Sequence, residues 1–341
     1  MVLMDNIAVT QDFNDSCPDG GTARLAAMTS VGMNSRATAA NLSIALAGRG
    51  KHVCLITTDP ASGNSRGAPL EELFAGRKLL AEILSDDRSG TQTLSVGSAF
   101  ANFFHMDGNR QQMLVELLTE LESAFDYLIV ETASEADEGL LRLYQSVPVV
   151  LLALTPEADS LTSAFSLLRA LKRQQIEPLI HVIVEMAGNL PDAHDTFKKL
   201  QHAASKYLQL EPHYLGYLPA RQPVQSCAEQ NPTVAASCHP DSITASQWDA
   251  IVERFCAIAE TVLPVTSLSA HFSELCSECQ LTDEESDSTF AADIGMVESA
   301  ERPALSTPYN PGGWHERLSD RIALYDAAHY ASMLATREAR E

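Results

Sequence analysis

Four stretches of the chain, HVCLITTDP, DYLIVETAS, VPVVLLALTPE and PLIHVIVEM, are apolar almost without interruption until a polar residue ends each run. Such runs predict strands of a parallel sheet, because helices on both sides leave the strand no solvent face and hence no alternation. Between and after them lie MLVELLTELESAF, Glu138–Gln145, SLTSAFSLLRALKR, DAHDTFKKLQHAASKYL and SQWDAIVERFCAIAETVL. In each, apolar residues return every three or four positions, which gives a helix one apolar stripe. Upstream, Arg24–Met28 predicts a short first strand, and a helix follows from about Ala37 to Ala47. Gly48 and Gly50 close that helix, since glycine most readily takes the left-handed turn after a helix. The loop ASGNSRGAP and two helical stretches lead to the strand TLSVGSAF, and PHYLGYLP reads as the last strand. Strand and helix alternating in this way predict an α/β fold, an open, mostly parallel sheet with helices on both faces, over about residues 23–263.

Outside that span the pattern fades. Residues 1–22 are polar and rich in turn formers (SCPDGGT), and predict a flexible lead-in. Residues 264–311 read as an acidic, proline-containing linker, where SECQLTDEESDSTFAADIGMVESAE is too poor in large apolar side chains to build a core. Residues 312–341 predict a C-terminal amphipathic helix, with Trp314, Leu318, Ile322, Tyr325 and Met333 at near-helical spacing.

Composition narrows the function classes. The 341 residues hold 23 Lys and Arg against 45 Asp and Glu, a net charge of −22, which opposes non-specific binding to nucleic acid. No apolar run approaches the roughly 20 residues of a membrane span. The start, MVLMDNIAVTQDFND, has neither the basic opening nor the apolar core of a secretory signal. Seven cysteines, an odd number, do not suggest a disulfide framework. A cytoplasmic protein is the expectation.

In an open parallel sheet, ligands sit beyond the C-terminal strand ends, where strand order reverses. The loops predicted there are 31–36, 57–64, 131–137 and 185–188. Their order and context resemble the MinD/ParA family of deviant-Walker P-loop ATPases, most nearly its FlhG/FleN flagellar-number branch. Three stretches carry the resemblance: TAANLSIALAGRGKHVCLI, the long DYLIVETASEADEGLLRLYQSVPVVLLALTPEADSLTSAFSLLRALKR with its TPE…S-T-A signature, and HYLGYLPARQPVQSCAEQNPTV. Together they cover about residues 24–263 and imply a P-loop NTPase-like fold.

The resemblance is as informative where it breaks. Members of the family carry GKGGVGKS or GKGGVGKT, in which glycine N–H groups wrap phosphates, a lysine balances charge and a hydroxyl reaches Mg²⁺. Here Val31, Gly32, Met33, Asn34, Ser35 and Arg36 stand in that place. Gly32 is the remaining glycine, Ser35 falls where the lysine belongs and Arg36 where the hydroxyl belongs, with Ala37 following. Of the family's Asp-x-Asp after the second strand, Asp59 survives. The usual Asp-Thr-x-x-Gly reads Glu131-Thr132-Ala133-Ser134-Glu135, and Glu185 stands where the family's purine-reading Asn would be. An added carboxylate at close range to a triphosphate repels it by about 1 kcal/mol in water, and more when partly buried. Gly32, Asn34, Ser35, Arg36, Ala37, Asp59, Glu131, Thr132 and Glu185 are therefore expected as remnant positions, with no catalytic residue, no metal and no cofactor. Arg36 at a helix N-terminus is the rival anion site, and Asp59 and Glu131 are read either as metal-site remnants or as solvated and capping carboxylates.

Other features carry less chemistry. Cys276-Ser-Glu-Cys279, with His271 five residues before the pair, invites a zinc reading. Zinc wants further ligands at a suitable spacing, and Cys227 and Cys238 stand far off, so reduced thiols in a flexible tail are expected. His181, inside a strand, reads as a core residue. MinD-type proteins often end in a membrane-targeting helix, so the resemblance implies possible peripheral contact with the inner face of the membrane through residues 312–341. Glu316, Asp320, Asp326, Glu338 and Glu341 largely cancel Arg317, Arg321, Arg337 and Arg340, which favours docking on a partner or packing back on the body over membrane binding. The expectation is a non-catalytic regulatory or localisation protein acting through protein partners. Those partners would be an intact paralogue of the family, components of a flagellar or other polar assembly, or a second copy of the chain. An ATPase with a rearranged loop, using ATP and Mg²⁺, and a membrane-tethered scaffold are the alternatives.

Overall fold

The computed structural model describes residues 23–31, 38–58, 70–86, 90–132, 138–219, 243–262 and 267–277. All of them belong to the first of the chain's two units, Met1–Asp287. The strands are β1 (Arg24–Val31), β2 (Val53–Thr57), β3 (Ser85–Asp86), β4 (Thr91–Ser95), β5 (Tyr127–Thr132), β6 (Val149–Leu154), β7 (Leu179–Ala187) and β8 (His213–Pro219). They form one sheet in the order β3-β4-β2-β5-β1-β6-β7-β8, parallel except for the two-residue β3 at one edge. The helices are α1 (Thr38–Ala47), α2 (Leu70–Phe74), α3 (Leu80–Ile83), α4 (Gly108–Ala124), α5 (Glu138–Ser146), α6 (Ala158–Arg173), α7 (Leu190–Leu208) and α8 (Ile243–Thr261), followed by α9 over 268–277.

The unbroken apolar runs become strands buried on both faces: every residue of β2 and of β6 is buried. Burial of one Leu or Val side chain is worth about 1.5–3 kcal/mol, so these central strands anchor the core. Successive strand residues face opposite sides, and the two apolar clusters follow that parity. Ala26 and Met28 of β1, Ile129 of β5 and Ile183 of β7 pack with α1 and α8. Ala27 and Val31, Val130, and Val182 and Val184 face α4, α5, α6 and α7 instead. On the first face, α8 closes tightly on β8: a Cβ at Gly216 would lie 2.5 Å from Ile251 Cγ1.

Helix ends follow their local chemistry. Asp107 caps α4 by accepting from Arg110 N at 2.9 Å, and Asn189 caps α7 by accepting from Asp192 N at 2.9 Å. Gly50, at φ 76°, takes the left-handed turn after α1.

Two expectations change. The first strand does not stop at Met28 but runs through Thr29 and Ser30 to Val31, paired on both sides by β5 and β6. Residues 268–277, placed in the acidic linker, are a packed helix. Leu268, Phe272, Leu275 and Cys276 are buried, spaced i, i+4, i+7 and i+8 as one helical face requires. The Phe272 ring sits 5.2 Å from Phe100 and 4.9 Å from Phe103, centroid to centroid. The N-terminus of α9 borrows its cap. Glu122, near the end of α4, accepts from Leu268 N at 2.6 Å, Ser269 N at 3.4 Å and the Ser269 hydroxyl. The apolar spacing was present in the sequence, but the acidic stretch beyond it obscured a helix of ten residues. Cys276 is accordingly part of a buried helix face, not a thiol in a loose tail, and the His271 ring nitrogen Nε2 lies 3.1 Å from Arg142 O. No described helix is long and apolar enough to cross a membrane. The lead-in 1–22, Cys279, the rest of the acidic segment and Trp314, Leu318, Ile322, Tyr325 and Met333 lie outside the described residues.

Candidate functional site

Strand order reverses at β1. The strands β2 and β4 lie on its β5 side and β7 and β8 on its β6 side. The crevice beyond the ends of β1, β5 and β7, at the head of α1, is therefore where this architecture takes ligands.

The end of β1 is held from the opposite face. Ser160, in the first turn of α6 and 2% exposed, donates to Val31 O at 2.7 Å and accepts from Thr155 N at 2.9 Å. This serine is the first residue of the S-T-A signature, so the signature fixes the point from which residues 32–37 depart.

Two residues before Val31, Thr29 enters a ring of hydroxyls. Its Oγ1 lies 2.7 Å from Thr132 Oγ1 and 2.5 Å from the Tyr144 hydroxyl, and Thr132 Oγ1 lies 2.8 Å from the Tyr144 hydroxyl. Thr29 and Thr132 share the parity that faces α5, which carries Tyr144. Burial raises the Tyr144 phenol above its ordinary value, against a smaller opposite pull from its two hydroxyl partners. The ring clips α5 to the two central strands, and α5 also packs closely at its start. A Cβ on Gly139 would lie 2.3 Å from Ala101 Cα.

Glu131 and Glu185 have the other parity and face α1. The Glu131 carbonyl accepts from Thr58 N at 3.2 Å and Thr58 Oγ1 at 3.0 Å, tying the end of β2 to that of β5. Glu185, 6% exposed, accepts a hydrogen bond from the hydroxyl of Thr38, the first residue of α1 and itself 4% exposed. Among the described residues no group of three or more His, Cys, Asp or Glu side chains is placed to hold a metal ion. Cys54, on β2, is a thiol pushed well above its usual range by burial, which makes it unreactive.

No family model matches the chain. Its fold matches the solved MinD cell division protein of Aquifex aeolicus at a TM-score of 0.51 and 16% identity, over 72% of this chain and all of that one. That protein's complex with MinC aligns with the same TM-score, 0.51, and identity, 16%, over 72% of this chain and 98% of that one. In sequence, the chain is 22% identical to the antiactivator FleN of Pseudomonas aeruginosa over 210 residues, 60% of this chain and 75% of FleN. It is 25% identical to the septum site-determining protein MinD of Bacillus subtilis over 175 residues, 48% of this chain and 65% of that protein. In sequence the chain is thus similar to FleN and MinD, and its fold is that of the solved MinD proteins.

In this MinD-like fold Glu185 meets Thr38 of α1, and Thr132 turns away, into the hydroxyl ring. Gly32, Asn34, Ser35, Arg36, Ala37 and Asp59, with Glu135, lie outside the described residues. Sequence reasoning missed Thr29, Thr38, Tyr144 and Ser160 as residues of the strand-end region. Thr38 had a signal, a hydroxyl at the first turn of a helix, where Ser and Thr bond to neighbouring groups. Thr29 and Tyr144 had none, because 115 residues separate them.

Proposed function

We propose that the chain is a MinD-like regulatory protein that works through protein partners without a nucleotide cycle. The observation that carries this reading is the buried carboxylate of Glu185 at the head of α1. ATP and Mg²⁺, which the family implies, fit the described residues poorly. A phosphate brought to that helix end meets a buried carboxyl group already bonded to Thr38, and any charge that group carries repels the phosphate more strongly than it would in water. The residues leading into α1, GMNSRA, supply one glycine and no lysine to wrap a phosphate, with Arg36 as their one cation.

A family ATPase changes state because its nucleotide stabilises one conformation over another. A chain that binds no nucleotide holds one state and presents one surface. The solved relatives include MinD in complex with MinC, a protein partner, and the sequence relatives include an antiactivator. By that likeness the partners are an intact paralogue of the family, a flagellar or other polar assembly component, or a second copy of the chain, acting in the cytoplasm or at the inner face of the membrane.

Thermal unfolding and titration calorimetry of the full chain with ATP·Mg²⁺ and ADP·Mg²⁺ test the reading. No heat and no shift in midpoint at millimolar nucleotide are expected. Binding at 100 times Kd would add about 2.7 kcal/mol of stability, and a nucleotide-specific shift of that kind would make the protein an ATPase with a rearranged loop.

A further inference from the structure

Each helix from α1 to α7 lies between two strands of the sheet, and α8 closes the face opposite α4–α7. The helix α9 connects no strands. It follows α8, yet its buried residues Leu268, Phe272, Leu275 and Cys276 join the apolar cluster on the other face. There it fills a groove with three points of recognition. Phe100 and Phe103 take the Phe272 ring, at centroid distances of 5.2 and 4.9 Å. Arg142 O lies 3.1 Å from His271 Nε2. Glu122, 7% exposed, accepts from Leu268 N, Ser269 N and the Ser269 hydroxyl, and among the described residues its carboxylate has no other donor. A buried carboxylate without donors is costly, whereas the start of a helix offers spare N–H groups and partial positive charge. The groove thus makes a demand that the α/β body itself does not meet and that a helix laid into it does.

We propose that this groove is a docking site for an amphipathic helix of a protein partner, and that α9 is an exchangeable stand-in held there until the partner arrives. The partner helix has a hydroxyl residue in its first turn for Glu122. It carries apolar residues at i, i+4, i+7 and i+8, the spacing of Leu268, Phe272, Leu275 and Cys276, with an aromatic ring at the second of them. The proposal rests on the reading that the chain works through protein partners, and names the class of partner.

A fluorescein-labelled synthetic peptide of residues 266–278 is the probe, and its fluorescence anisotropy with the full-length chain is the readout. In Phe272→Asp the new charge keeps α9 out of the groove, whose own residues are unchanged. That variant is expected to bind the peptide about tenfold more tightly than the wild type, since a groove that is rarely free lowers apparent affinity by its free fraction. Adding Glu122→Ala should weaken that binding by about tenfold, as when a hydrogen bond to a charged group goes. Equal binding by wild type and Phe272→Asp, or binding indifferent to Glu122, overturns the proposal. If Phe272→Asp does not fold, amide exchange in the isotope-labelled wild type decides. Excess unlabelled peptide should speed exchange at residues 268–277, because the groove holds one helix at a time, and unchanged exchange overturns the proposal. Wild-type dimers that Phe272→Asp abolishes would put a second copy in the groove and overturn the partner assignment. Nucleotide titration separates the two readings. If nucleotide binds while the peptide behaves as stated, the nucleotide-independent reading alone falls; if neither nucleotide nor peptide binds, the docking groove alone falls.

Discussion

Tyr144→Phe removes one oxygen from a ring of three hydroxyls and leaves the packing intact. With O···O distances of 2.7, 2.5 and 2.8 Å around the ring, each hydroxyl donates once and accepts once, and no proton is left over. Thr29 and Tyr144 are fully buried and Thr132 is 4% exposed, so water does not replace a lost partner. The variant loses two hydrogen bonds, about 1 kcal/mol each, and strands one donor at about 1–3 kcal/mol, giving an expected loss of about 3–5 kcal/mol. Thr29→Val and Thr132→Val should each cost a similar amount. The triple variant strands nothing, because all three polar groups become apolar groups of similar shape. Its loss should be close to that of one single variant and well below the sum of three. Equilibrium urea unfolding of the three singles and the triple, followed by far-UV circular dichroism, measures this. A triple variant equal to the sum of the singles, or a Tyr144→Phe effect under about 0.5 kcal/mol, the range of ordinary surface substitutions, would refute the closed ring.

Gly139→Ala places a methyl 2.3 Å from Ala101 Cα, a backbone atom that cannot swing aside, so calorimetry should show destabilisation of about 1–3 kcal/mol from overpacking. Phe272→Ala vacates the space between Phe100 and Phe103 and should cost about 3–5 kcal/mol, with faster proteolytic cleavage around residues 263–277 and little change elsewhere. His181 is held at about 4, well below 6.5, first by burial and then by the charge of His213 beside it, their rings 5.4 Å apart. The unfolded chain therefore takes up a proton before the folded one does. Stability is full above about pH 6.5 and falls as pH drops through about 4, by on the order of 3 kcal/mol. His181→Gln should flatten that slope in urea midpoints measured across the range.

The sheet was legible because its physics is local. A strand buried on both faces must be apolar throughout, as in VCLIT and VVLLAL, and a helix covering it must repeat every three or four residues. The short or mixed pieces escaped. The antiparallel β3 is two residues long, too short to carry a period. The α9 face was periodic but sat beside a strongly acidic segment, and its cap is supplied by Glu122 from another helix. The strand-end region was legible residue by residue but not face by face. Glu131 and Thr132 are neighbours in one motif, yet alternation sends one towards α1 and the other towards α5. Glu185 was read against a ligand, whereas the structure supplies it with an internal partner. That pairing joins positions 38 and 185, and no local pattern records it.

The borrowed cap of α9 also sets an order of events during synthesis. Glu122 and the aromatic pair Phe100 and Phe103 precede Leu268 by well over a hundred residues, 146 in the case of Glu122. At about 5–20 residues per second, roughly seven to thirty seconds pass before the ribosome delivers the helix that covers them. During that interval the nascent chain carries an uncovered aromatic groove and a carboxylate awaiting its donors. The same geometry makes α9 a final closing step, one that a chaperone holding the groove would delay and that a truncation before residue 268 would never complete.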